Sequence, residues 1–78
     1  MKVPTKLLPT TMLKTLTNAL DYYLKACKNA QDLRTQRTFF DQAFGAAQYH
    51  IFMFPADQQE VEELWNCYKP QFEEIIYG

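Results

Sequence analysis

The stretch DLRTQRTFFDQAFGAAQYHIFMF, residues 32–54, decides the architecture. A helix turns about 100° per residue, so Leu33, Phe40, Phe44, Ala47, Ile51 and Phe54 fall along one face of it. Tyr49, Phe52 and Met53 then project from the opposite side. A bundle helix buries one stripe and leaves the other to water. This reading therefore predicts a rod with more apolar surface than its own bundle needs.

Working outward, Pro55 closes this helix, because the residue before a proline is disfavoured in helical conformation. Asn29 or Asp32 caps its start, and the link between them is short enough only for an antiparallel turn. Upstream, Leu13, Leu16, Leu20, Tyr23, Leu24 and Cys27 form the stripe of a first helix over about residues 11–29, capped by Thr10 or Thr11. Tyr22 points outward, and Asp21 sits four residues before Lys25 in the favourable acid-first order. Residues 1–9, with Pro4 and Pro9, read as an extended arm.

Downstream, Val61, Leu64, Trp65, Tyr68, Phe72, Ile75 and Ile76 define a third helix over about 57–77. Asp57 followed by Glu60 matches the reciprocal capping box. Pro70 falls opposite the apolar stripe, which predicts a kink or brief break there and no chain reversal. The expected fold is all-α, an antiparallel three-helix bundle forming one domain over residues 1–78.

Composition agrees with this class. The chain is 47% hydrophobic and 15% aromatic, too apolar for disorder, and its 2 Gly and 4 Pro are too few for a β-sandwich. Cys27 and Cys67 do not make a disulfide framework, and no apolar run of signal length follows Met1, so the expected compartment is the cytoplasm. No uninterrupted apolar stretch is long enough to span a membrane.

The net charge of −1 hides an uneven split. Seven basic residues against two acidic ones make residues 1–37 strongly positive, whereas Lys69 faces seven carboxylates in residues 38–78. Pairing of the two halves across the bundle is the first expectation. The alternative is a nucleic-acid contact at the basic corner of Lys25, Lys28, Arg34 and Arg37, against which stand the pI of about 5.7 and an acidic third helix.

Catalytic chemistry finds no constellation here. Cys27, Cys67 and His50 lack the close spacing that pre-forms a zinc site, and His50 has no evident orienting partner beyond a local hydrogen bond. No glycine-rich phosphate loop exists, so neither a cofactor nor a small-molecule substrate is expected. The expected function is that of a non-catalytic interaction module or adaptor, self-associating through Gly45, Tyr49, Phe52 and Met53, with Tyr22 or Tyr77 extending the patch. The competing outcome is that the N-terminal arm or a rotated third helix covers these side chains within one chain.

Overall fold

Three long helices and one short 3-10 turn account for the described residues, in a computed structural model that describes the backbone of residues 7–78 and the side chains of residues 13–78. Helix α1 runs Leu7–Asn29, α2 Leu33–Met53 and α3 Gln58–Tyr77, with the 3-10 turn Pro55–Asp57 between the last two. Each helix packs against both others, and the α1–α2 contact is the most extensive.

Helix α2 starts as its sequence dictates. Asp32 is extended, with φ −127° and ψ 157°, and accepts from the Thr35 amide at 3.1 Å and from the Thr35 hydroxyl at 2.8 Å. These bonds hold the Asp32 carboxyl below its ordinary range. Across the turn, the Cys27 thiol donates to the Gln36 carbonyl, and the Gln36 amide group donates to the Ala30 carbonyl. Burial pushes the Cys27 thiol up from its ordinary value.

Helix α1 starts earlier than expected. The arm proposed over residues 1–9 lies, for residues 1–6, outside the described residues, whereas Leu7 to Pro9 already belong to the helix. Pro9 is tolerated because the first-turn amides of a helix have no intrahelical acceptor. Thr10 and Thr11 consequently sit inside α1 and do not cap its start.

The core contains Leu16, Leu20 and Cys27 from α1, Ala43 and Ala47 from α2, and Val61, Tyr68 and Phe72 from α3. The α2 contribution corrects the expected stripe. Leu33 and Phe44 are each 47% exposed and Phe54 is 38% exposed, while Ala43, Ala47 and His50 are buried. The helix is rotated by about half the 100° step between successive residues. Its innermost line faces the gap between two neighbouring helices, where small side chains allow close approach. Larger ones are displaced to the flanks. Phe40 stacks on Trp65 at 5.8 Å and meets Phe72 at 5.4 Å, and Phe44 lies 5.6 Å from Trp65, an aromatic seam between α2 and α3.

Helix α3 runs through Pro70 as one element, without reversal, and both Pro70 and Asn66 are exposed, so the carbonyl that the proline leaves unbonded can meet water. The first and third helices are tied by the Tyr68 hydroxyl donating to Asp21. Burial, reinforced by that bond, pushes the Tyr68 hydroxyl up to about 12.

Two outcomes follow from this packing. Phe72→Ala, at a fully buried site, should cost about 3–5 kcal/mol in urea unfolding. Tyr68 holds its proton more firmly folded than unfolded, so its contribution is complete below pH 10 and lost as pH rises toward about 12. Tyr68→Phe should flatten that part of the stability–pH curve.

Candidate functional site

The α2–α3 corner organises the surface of interest. The Phe54 amide donates to the His50 carbonyl at 2.7 Å, closing the last turn of α2, and the Asp57 amide donates to the Phe54 carbonyl at 2.9 Å. Inside this corner His50 Nε2 donates to Asp57 Oδ2 across 2.8 Å, with both side chains buried. Phe54 packs on the imidazole at a centroid distance of 5.0 Å.

Asp57 therefore plays a different part from the expected one. It precedes α3 with φ −91° and ψ 2° but makes no side-chain cap, because its carboxylate is turned inward to His50. A buried imidazole without an acceptor would lose more free energy than an exposed helix start gains from a cap. The expected local hydrogen bond of His50 is thus this one, across a proline-closed corner. The signal in the sequence was a histidine one turn before Phe54-Pro55 and an aspartate just beyond it.

Outside the corner lies an apolar groove of about 220 Å³ between α1 and α2. Thr15, Leu16 and Ala19 form one wall, and Ala46, Tyr49, His50, Met53 and Phe54 the other. Its outer lip continues onto the free face of α2. Phe52 is 78% exposed, Tyr49 64% and Met53 48%, so all three side chains singled out by periodicity point away from the core. Helical geometry places Gly45, Tyr49 and Phe52 within one arc of that face.

Gly45 lies at the centre of this arc and is open. A Cβ there would meet nothing within 4 Å, and its φ is not positive. Neither the backbone nor internal packing calls for glycine, although a mid-helix glycine costs about 1 kcal/mol relative to alanine.

Of the two tyrosines expected to extend the patch, Tyr22 is 65% exposed on α1, one turn beyond the groove-wall residue Ala19, and packs edge-on against Tyr23 at 5.5 Å. Tyr77 lies beside the start of α2, with the Arg37 guanidinium 5.8 Å from its ring centroid. That places it at the other end of the bundle.

Lys25, Lys28, Arg34 and Arg37 are brought together at that other end, all exposed. The expected ionic pairing between the two halves of the chain is absent among the described residues. There the ion pair is Lys69–Glu73 at 4.0 Å, and it lies, like the His50–Asp57 hydrogen bond, within the second half. Asp21 likewise engages Tyr68, with no bridge to Lys25 within 4.0 Å. Exposed lysines and arginines lose side-chain entropy when fixed, which offsets most of what a surface pair contributes.

Among the described residues, no three His, Cys, Asp or Glu side chains gather where a metal could be held, and no helix is long and apolar enough to cross a membrane. No family model, curated protein or solved structure matches the chain.

The buried corner carries a direct test. Asp57→Ala or His50→Ala should each cost about 1–3 kcal/mol in equilibrium urea unfolding, because each strands a buried partner. The double variant should cost clearly less than the two single losses combined. Strict additivity would mean that the two side chains do not support one another.

Proposed function

We propose that this chain is a small non-catalytic interaction module that associates with a second copy of itself through the outer face of the C-terminal half of α2. The observation that carries the reading is Phe52, the most exposed large apolar side chain in the described structure, flanked on the same surface by Tyr49 and Met53. Scattered exposed apolar residues are ordinary, but contiguous clusters on small proteins mark contact surfaces. Tyr, Phe and Met are also the side chains enriched where interfaces exclude water.

The partner assigned is a copy of this chain. The surface is a single helix face with a groove along one side, and a self-complementary patch can close on itself about a two-fold axis. A domain of this size buries a modest fraction of its unfolded surface, so covering a second apolar face adds stability that the monomer lacks.

A second reading rests on the basic corner. Lys25, Lys28, Arg34 and Arg37 have no carboxylate within 4.0 Å among the described residues, which leaves them available to phosphates. The net charge of −1 and the exposed Glu62, Glu63 and Glu74 of α3 rank it second. If it holds, duplex affinity falls steeply with added salt and is lost in Arg34→Ala with Arg37→Ala.

Sedimentation equilibrium tests the first reading. The wild type should exceed the 9.2 kDa of one chain at roughly micromolar or higher concentrations, and Phe52→Glu should return to that mass. The substituted side chain is already exposed, so helicity and the unfolding midpoint should barely move. A wild type of single-chain mass up to millimolar concentration would contradict the proposal.

A further inference from the structure

We infer that the groove between α1 and α2 binds a small, mostly apolar molecule carrying one hydroxyl or N–H donor, a phenol or a compact alcohol, and that Nδ1 of His50 receives that donor. This site stands apart from self-association: the buried corner sets it, whereas that reading concerns the outer face of α2.

The chemistry starts from a histidine used on one side only. His50 is 8% exposed, and its Nε2 meets the buried Asp57 carboxylate at 2.8 Å. A carboxylate accepts and cannot donate, so the proton of the neutral ring stays on Nε2 and Nδ1 is left as a lone-pair acceptor. No described residue donates to Nδ1, and among the described residues no sealed polar side-chain atom lacks a partner. Nδ1 therefore keeps access to solvent, and the opening that His50 borders is the groove.

The surroundings define the rest of the ligand. Leu16, Ala19, Ala46 and Met53 make the walls apolar, and Phe54 lies against the imidazole at 5.0 Å. Water at Nδ1 finds few further partners there, whereas an apolar body with one donor satisfies the nitrogen and covers the walls together. Size narrows the class. The groove measures about 220 Å³, and an apolar cavity of about 150 Å³ already holds benzene, so a single ring with a hydroxyl fits and a drug-sized molecule does not. An anion is disfavoured, because the Asp57 carboxylate lies on the far side of the same ring and Nδ1 offers it no proton. The chain carries no sequence motif for such a ligand, since the acceptor exists only once His50 and Asp57 meet in the folded corner.

The probe is phenol, set against anisole, which keeps the ring and the oxygen but has no proton to donate. Each is titrated into the full chain in mildly alkaline buffer, with the histidine ring nitrogens and the backbone amides followed by proton–nitrogen correlation spectra. The free protein should show Nε2 protonated and Nδ1 bare. Phenol should bind with a roughly millimolar Kd, at least about threefold tighter than anisole, and should move the Nδ1 resonance of His50. Amide shifts should gather at Leu16, Ala19, Ala46 and His50. Ala19→Leu fills the groove from the α1 wall without touching Asp57, so it should abolish phenol binding while circular dichroism and the Nε2 signal stay unchanged.

A proton found on Nδ1 of the free protein overturns the proposal. So does equal affinity for phenol and anisole, an absence of phenol binding, or shifts centred on Phe52 in place of the groove. Phenol binding retained by a folded Ala19→Leu overturns it as well. None of these results changes the mass read in sedimentation, so the ligand site and the association surface fail separately.

Discussion

The seating of α2 against its neighbours depends on two small side chains. Ala43 and Ala47 occupy the line of α2 that faces between α1 and α3, and both are almost fully buried. With bulkier residues on that line, two helices could not approach a third so closely, because packed interiors leave no room for added volume without strain. The consequence is a division of the aromatic residues. Phe39 and Phe40 pack at the edges of the buried arc, Phe44 reaches Trp65 while remaining half exposed, and Tyr49 and Phe52 are left facing out.

Polar bonds then fix the ends of this arrangement. His50 and Asp57 lock the corner through which α2 passes into α3, and Asp32 holds the start of α2. Tyr68 anchors α3 to Asp21 of α1. The apolar face of α2 is thus displayed by a helix restrained at both ends, a rigid platform whose side chains need little ordering when they are covered.

Much of this was legible in the residues. Periodicity and the cap at Asp32 give the helices and their order, and Pro55 marks the end of α2. The outward direction of Tyr49, Phe52 and Met53 follows from the same periodicity. What periodicity misreads is the orientation of α2. Weighting large side chains drew the buried face toward Leu33, Phe44 and Phe54, whereas a helix flanked by two neighbours buries its small residues most deeply. Asp57 was misread for a related reason, since a capping pattern is local and the competing demand of buried His50 exists only once the corner has formed. Tyr77 and the charge asymmetry depended on which helix ends meet, a three-dimensional relation that spacing along one chain does not contain.

The proposed self-association puts the contact between copies on the outer face of α2. A dilution series of two-dimensional amide spectra reads that directly, residue by residue. Concentration-dependent shifts should cluster at Gly45, Gln48, Tyr49, Phe52 and Met53. Shifts centred on Lys28, Pro70 and Ile75 instead, or a spectrum that does not change on dilution, would contradict it.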